Sequence, residues 1–170
     1  MATFADGIVD ELPPIRGRSR LLGLARFLAS QVPDGAASDF ARAAEALVRR
    51  RHGPGPVVVV GDFLDPESLR RGLGILQCRG YQPRMVHVVD PREESPELVG
   101  DVELCDAESG ASWVTTLDEN DIARYRAAFA EFCRSSRAFC LRGKIPYLRV
   151  RGDTSWSRIV FEATGLRISG

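Results

Sequence analysis

The chain has 170 residues, of which 44% are hydrophobic and 27% charged, and its 23 basic residues balance 23 acidic ones. This length suits one domain with a real core, and the composition is that of a folded protein rather than a disordered one. The zero net charge removes the electrostatic argument for nucleic acid or an anionic membrane surface as a partner. Because the sequence shows neither a membrane-spanning stretch nor the pattern of a signal peptide, we expect a cytoplasmic protein.

Residues 1–56 predict a strand or small hairpin followed by two helices. Residues 3–12 are mixed in polarity and end at a pair of prolines, which favours one strand or a hairpin. Residues 19–31 and 40–51 carry apolar side chains at the i, i+3, i+4, i+7 spacing, so each segment predicts a helix with one buried stripe. Ser38 or Asp39 is placed to cap the second helix.

A run of four valines, Val57–Val60, ends at Asp62. Such a run predicts a strand buried on both faces, the kind found in parallel sheets that helices cover. Residues 66–79 then predict a helix, and residues 84–91 repeat the design of an apolar strand ending in Asp and Pro. Two strands joined by a helix form a parallel βαβ unit in nearly all cases.

The last third predicts a hairpin and a long helix. Residues 101–106 and 111–116 flank a Gly-containing loop, and Asp118 can cap the helix that follows. A final strand over 146–150 and a closing helix over 154–163 complete the pattern. The apolar stripe of the long helix consists of Ile122, Tyr125, Ala128, Phe129, Phe132 and Cys133. The predicted fold is an α/β, mostly parallel, doubly wound sheet with helices on both faces plus one antiparallel hairpin.

The four cysteines show neither Cys-x-x-Cys spacing nor the context of a short secreted protein. Reduced and mostly buried thiols are therefore expected rather than disulfides or zinc. Cys133 and Cys140 are seven residues apart on one helix face, which predicts that both pack in the core.

Three segments occur together in a recognisable order: Gly-Asp-Phe-Leu-Asp at 61–65, Val-His-Val-Val-Asp-Pro-Arg-Glu-Glu at 86–94, and Leu-Cys-Asp-Ala-Glu-Ser-Gly at 104–110. With residues 3–6 and 16–18 upstream, the chain resembles the von Willebrand factor A-like bacterial family called domain of unknown function fifty-eight. Members are typically encoded beside MoxR-type AAA+ ATPases. The resemblance therefore implies a von Willebrand A fold and an ATPase of that type as a protein partner.

The chain departs from the metal site that the resemblance implies. A von Willebrand A domain binds a divalent ion through an Asp-x-Ser-x-Ser loop, a Thr in a second loop and an Asp after a later strand. Asp62 matches the last position and Ser38 is the candidate for the Thr position, but the sequence contains no Asp-x-Ser-x-Ser. We therefore expect no cofactor, with weak Mg²⁺ or Mn²⁺ binding at Ser38 and Asp62 as the alternative.

The resemblance also implies that the chain begins at the family's second strand. The absent first strand would lie in the middle of the family's sheet, and its loss would expose two rows of backbone donors and acceptors. We predict a single von Willebrand A-like domain over 1–170, N-terminally truncated, whose edges make self-association plausible. A shortened variant that closes the gap by re-pairing its strands is the alternative.

Two function classes follow from these residues. The preferred one is a non-catalytic protein-interaction module that works with the ATPase in assembling or activating other proteins. Its binding rim would be formed by the carboxyl ends of the strands, with Ser38, Asp39, Asp62, Asp65 and Asp90. The alternative is a metal-dependent hydrolase using Asp62 and Asp90, against which stands the shortage of a nucleophile or general base nearby. The sequence Asp90-Pro91 itself predicts a turn, and His87 a packed side chain.

Overall fold

The computed structural model describes residues 1–14, 17–32, 38–50, 53–106 and 110–155. The strands are β1 Ala2–Ala5, β2 Gly7–Glu11, β3 Pro56–Gly61, β4 Gln82–Val89, β5 Gly100–Cys105, β6 Ser112–Leu117 and β7 Tyr147–Arg151. The helices are α1 Leu21–Ala29, α2 Phe40–Arg49, α3 Pro66–Cys78, α4 Pro91–Glu94 and α5 Glu119–Arg142, and a 3₁₀ turn over Arg18–Arg20 precedes α1.

The central sheet is parallel and has the order β3-β4-β7. In its register Val59 lies beside Met85, and Met85 beside Tyr147. Strands β1 and β2 form one antiparallel hairpin, and β5 and β6 form another. The parallel βαβ unit and the hairpin after residue 100 are therefore confirmed, and the predicted N-terminal strand or hairpin is a hairpin.

The core lies on one face of the central sheet. Val59 and Met85 point into it and meet side chains of α2, α3 and α5. The apolar side chains of α3 recur at helical spacing, and Leu69, Leu73 and Leu76 are essentially inaccessible to solvent. Burying each such leucine is worth about 1.5–3 kcal/mol. Packing of helices against this face therefore provides the apolar burial that holds the sheet and helices together.

The opposite face of β3 is open in the described residues. Val58 and Val60 are 60% and 55% exposed, so the prediction of a strand buried on both faces is wrong for this strand. The physical reason is that β3 lies at the edge of the described sheet and that α2, α3 and α5 pack on the Val59 face. The coarser prediction of a parallel sheet with helices is confirmed, whereas the described residues do not form a sheet covered on both faces.

Two predicted apolar stripes are corrected. No residue of α1 is buried, and its leucines Leu21, Leu22 and Leu28 are exposed, because within the described residues α1 packs on no strand or helix of the core. In α5, Ile122 and Cys133 are buried as predicted, but Tyr125 and Ala128 are exposed. The predicted closing helix lies outside the described residues from 156 onward, and Thr154 and Ser155 are not helical.

All four cysteines are free thiols, and the prediction that they are mostly buried is wrong for two of them. Cys133 and Cys140 are buried, whereas Cys78 and Cys105 are exposed. The Cys140 Sγ lies 3.5 Å from the Met85 Sδ, and burial raises the pKa of the Cys140 thiol to about 11. The two cysteines of α5 are therefore packing residues of the core.

The N-terminal hairpin lies beside α2 rather than in the central sheet. The backbone N–H of Asp39 donates to the Ala5 carbonyl at 2.9 Å, and Phe4 packs against the core ring of Phe40. Among the described residues no strand pairing joins this hairpin to β3, so re-pairing into one continuous sheet is not observed. Within those ranges no helix is both long and apolar enough to span a membrane.

Candidate functional site at the carboxyl ends of β3 and β4

The turn after β3 displays two side chains and buries the one between them. Phe63 has a backbone φ of 55°, a left-handed conformation that is a genuine outlier for a bulky residue. Its ring is buried and meets the rings of Phe40 and His87 edge-on, at centroid distances of 6.1 and 6.2 Å. Asp62 and Leu64 on either side are exposed, Leu64 by 61%. Ring packing thus holds a strained turn whose tip faces solvent.

His87 packs against the Phe63 ring of this turn from inside the core. It is fully buried on β4, and its Nδ1 lies 2.7 Å from the Tyr147 hydroxyl on β7. Burial lowers the pKa of His87, the Arg149 charge lowers it further, and a hydrogen bond with the Asp62 backbone opposes both. Burial also raises the pKa of Tyr147 to about 12. A neutral histidine with a phenol partner packs the core, as the sequence predicts for His87, and Tyr147 is the partner that sequence reasoning missed.

Asp65 caps α3. Its carboxylate accepts hydrogen bonds from the backbone N–H groups of Glu67 at 2.9 Å and Ser68 at 3.1 Å, and Pro66 occupies the first turn. These N–H groups have no partner within a helix, so a short acidic side chain before the first turn satisfies them. The carboxylate that the sequence assigned to the rim is therefore committed to the helix start.

Asp39 caps α2 and is tied to α3. Its Oδ1 accepts from the Arg42 backbone N–H at 3.1 Å and from the Ser68 hydroxyl at 2.7 Å. The buried Ser68 hydroxyl in turn accepts from the Ala41 N–H at 2.9 Å. The Ser68 hydrogen bond lowers the pKa of Asp39, partly offset by burial. The sequence prediction that Ser38 or Asp39 caps this helix is confirmed for Asp39, whereas Ser38 is exposed.

Ser68 is the residue of this cluster that the sequence did not indicate. It joins Asp39 through its hydroxyl and Asp65 through its backbone N–H, so it links the starts of two helices. A small polar residue at a core-facing position of an apolar helix was the available signal, because a buried hydroxyl needs hydrogen-bond partners.

Asp90 follows β4 and caps the short helix α4 in a capping box with Glu93. The Asp-Pro turn predicted here is corrected to this helix, because Pro91 fits the first helical position and the Asp side chain satisfies the Arg92 N–H. The Arg92 guanidinium also donates to the carboxylate at 3.0 Å and lowers the pKa of Asp90. This carboxylate is therefore ionised and paired rather than poised as a proton acceptor.

The structure brings together some of the predicted site residues. Asp39 and Asp65 meet at Ser68, and Asp62 and Asp90 follow neighbouring parallel strands at the same sheet edge. Across the described ranges, no group of three or more His, Cys, Asp or Glu side chains is arranged to hold a metal ion. Metal binding at Ser38 and Asp62 stays a prediction.

Comparison with known proteins places the chain among uncharacterised bacterial proteins. The family described as "Protein of unknown function DUF58" matches residues 1–139. An uncharacterized protein of Mycobacterium avium is 33% identical over 154 residues, which cover 87% of this chain and 88% of that protein. Uncharacterized proteins of Mycobacterium bovis and Mycobacterium tuberculosis are 35% identical over 162 residues, and this chain spans about half of their length, 50%. No solved structure was found to match the chain.

Proposed function

Since the chain belongs to the DUF58 family of proteins of unknown function, we propose that it is a non-catalytic interaction module of the von Willebrand A type, acting with a MoxR-type AAA+ ATPase in assembling or activating other proteins. The observation that carries this proposal is the turn after β3. There a strained, buried Phe63 presents Asp62 and Leu64 to solvent at the carboxyl edge of a parallel sheet, the edge where open α/β sheets bind their ligands.

The turn has the properties of a pre-organised contact. An exposed apolar side chain can serve as an anchor at the centre of an interface, and a neighbouring carboxylate can form polar contacts at its rim. Because the Phe63 ring is already packed between Phe40 and His87, the tip loses little conformational freedom on binding. A rigid tip of this kind suits docking into a pocket of the partner.

The neighbouring carboxylates support a binding role over catalysis. Asp39, Asp65 and Asp90 each accept backbone N–H groups at a helix start. A general base needs a free lone pair within reach of a substrate proton. The alternative of a metal-dependent hydrolase using Asp62 and Asp90 gains no specific support, because the Asp90 carboxylate serves as the cap of α4.

The direct test is equilibrium binding of the purified chain to a purified MoxR-type AAA+ ATPase. Asp62→Ala and Leu64→Ala should each weaken binding about tenfold or more, which corresponds to about 1.4 kcal/mol. Glu97→Ala and Leu141→Ala are matched controls, since Glu97 is exposed and Leu141 is 62% exposed against 61% for Leu64. Wild-type affinity in both tip variants would refute the role of the turn, and Asp62-dependent phosphoester turnover would refute the non-catalytic class.

Metal dependence is tested separately by thermal melts with and without excess Mg²⁺ or Mn²⁺. A ligand at about 100 times its dissociation constant stabilises a protein by roughly 2.7 kcal/mol, which at this size moves the melting temperature by roughly 5–11 °C. We expect no shift of that size. A shift that Asp62→Ala and Ser38→Ala both abolish would instead establish an ion at the rim.

A further inference from the structure

Charge is segregated along the second half of the chain although the net charge is zero. Residues 90–121 contain 11 acidic residues and 1 basic residue, whereas residues 122–151 contain 8 basic residues and 1 acidic residue. The first of these segments includes the β5–β6 hairpin, and the second includes most of α5 and all of β7. Within one copy the two segments meet through ion pairs of Glu94 and Asp121. The acidic residues of β5 have no ion pair among the described residues, so a second copy of the chain can offer them the opposite charge.

The basic side has a defined groove. A cleft of about 460 Å³ lies between α5 and β7 and carries Arg134, Arg137 and Arg149. The half-buried Tyr147 of β7 also lines it. We call this cleft the arginine groove. Guanidinium groups are weakly hydrated and match carboxylates in geometry, so the groove suits an acidic polypeptide segment.

The groove retains positive charge after its local ion pairs are counted. Arg134 pairs with Glu131 at 2.6 Å, and Arg149 lies 3.4 Å from Glu94. These pairs are solvent-exposed or half-exposed, and pairs of that kind are worth at most about 1 kcal/mol, so they exchange readily for another carboxylate. Arg137 forms no ion pair with any residue in the described part of the chain.

The acidic side has a matching strand. Asp101 and Glu103 are two residues apart on β5, so both point to the same face of the hairpin, and both are exposed. Val114 lies directly opposite Glu103 on β6 and is 76% exposed. This face, which we call the acidic face of the hairpin, therefore combines two carboxylates with an apolar side chain. The groove offers guanidinium groups beside the half-buried Tyr147.

We propose that the chain self-associates by seating the acidic face of the hairpin of one copy in the arginine groove of a second copy. Within one copy no ion pair joins the described residues of β5 to the groove, and Asp101 accepts a hydrogen bond from the Thr116 hydroxyl. Asp101 and Glu103 pair with Arg134 and Arg137, while Val114 packs against Tyr147. This surface differs from the turn after β3, so the two interactions can fail independently.

The test is a charge swap followed by sedimentation velocity. One variant reverses the groove with Arg134→Glu and Arg137→Glu, and the other reverses the hairpin with Asp101→Arg and Glu103→Arg. Each variant alone should sediment as a monomer, because its hairpin and groove then carry the same sign. An equimolar mixture should form a 1:1 complex, since the acidic groove of one meets the basic hairpin of the other.

Salt and a matched control separate this contact from other modes of association. The wild-type association should weaken about tenfold or more when salt is raised well above 0.1 M, because the Debye length then falls below roughly 10 Å. The double reversal of Arg79 and Arg142 to Glu, which are exposed and outside the groove, changes the net charge equally and should leave association intact. Association through the exposed valines of β3 would be unaffected by salt and by the charge reversals, and this result would refute the proposal.

Folding of each variant is checked by its far-ultraviolet circular dichroism and thermal melt. If a double reversal does not melt cooperatively, the neutral changes Arg137→Gln and Glu103→Gln replace it, and each should weaken association several-fold. A wild-type chain that stays monomeric at low salt up to several hundred micromolar overturns the proposal. So does a folded swap pair that fails to associate on mixing.

Discussion

The central sheet with its helices and the β5–β6 hairpin are built from similar strands but differ in what covers them. In the central sheet Val59, Met85 and Val89 are buried because α2, α3 and α5 lie on their face. In the two strands of the hairpin, as far as the structure describes it, no residue is buried, and Trp113 and Val114 are exposed. Alternation of polar and apolar residues is enough to pair strands, but a second layer is needed to make a core.

This difference divides the roles of the two regions. The buried residues of the central sheet contribute most to the free energy of unfolding, because a substitution at such a position creates a cavity or a clash. Residues of the hairpin can change with little effect on stability, so their charges and apolar side chains are available for binding. The following substitutions sharpen that contrast, starting with the largest effect.

Leu73→Ala tests the core at its best-packed position. Leu73 on α3 is completely buried in the cluster with Val59 and Met85. Removing its side chain should lower the free energy of unfolding by about 2–5 kcal/mol, measured by urea denaturation. Leu141→Ala on the exposed side of α5 is the control and should change it by less than about 0.5 kcal/mol. Equal effects would mean that the two helices are not packed as described.

Gly72→Ala tests the crossing of α2 and α3. A Cβ added at Gly72 would lie 2.4 Å from the Phe40 Cδ1 and 3.1 Å from the Phe40 carbonyl oxygen. The clash should cost about 1–3 kcal/mol. Gly74→Ala, two residues along the same helix, meets nothing within 4 Å and should stabilise by roughly 0.5–1 kcal/mol through helix propensity. Two changes of the same sign would contradict this helix contact.

Ser68→Ala tests the link between the starts of α2 and α3. It removes the donor to Asp39 and leaves the Ala41 N–H without its acceptor, which should cost about 1–2 kcal/mol at neutral pH. The pKa of Asp39 lies below its ordinary value of 3.8, so its stabilising contribution is present above that value and is lost as pH falls through the lowered pKa.

The pH dependence separates the hydrogen bond from simple packing. In Ser68→Ala the pKa of Asp39 should move back toward 3.8, visible by NMR titration of its carboxyl carbon, and the acid-induced loss of stability should shrink. Ser68→Thr, which keeps the hydroxyl, should retain the lowered pKa. An unchanged Asp39 titration in Ser68→Ala would show that another group sets it.

Val114→Thr gives the smallest expected effect. Val114 is 76% exposed on β6, and threonine keeps the β-branched shape that strands favour. The free energy of unfolding should change by less than about 0.5 kcal/mol, while self-association through the hairpin should weaken measurably. A loss above 1 kcal/mol would mean that the hairpin is covered in the folded chain, and the contrast between the two regions would fail.

The strands and helices of the central sheet follow from sequence patterns, and their burial follows only in part. The valine run, Pro66 and the β4 pattern predict a parallel βαβ unit, which the register of β3 and β4 confirms. The exposure of Val58 and Val60 could not be foreseen, because all four residues of the run are valine and the sequence does not indicate which face of the strand a helix covers. The same limit explains α1, whose apolar spacing is helical although it packs on nothing in the described core.

The candidate site was foreseen as a set of carboxylates, with helix capping predicted at Ser38 or Asp39. Helix-start rules predict the role of Asp39, and they extend to Asp65 and Asp90 once the helix boundaries are known. The left-handed Phe63 is beyond sequence reasoning, since a bulky residue takes that conformation only when tertiary contacts hold it. Ser68 and Tyr147 were missed for the same reason, as both act through partners distant in sequence.

The four cysteines can report how often the core of the chain opens to solvent. Cys78 and Cys105 should react at once with a thiol reagent, whereas Cys133 and Cys140 should react only when α5 leaves the sheet. Since burial also keeps the Cys140 thiol protonated, with a pKa of about 11, its alkylation rate in the native chain tracks the frequency of local unfolding. Mass spectrometry of labelled peptides would thus give the labelling rate of the exposed cysteines and that of the buried cysteines in one experiment on the wild-type chain.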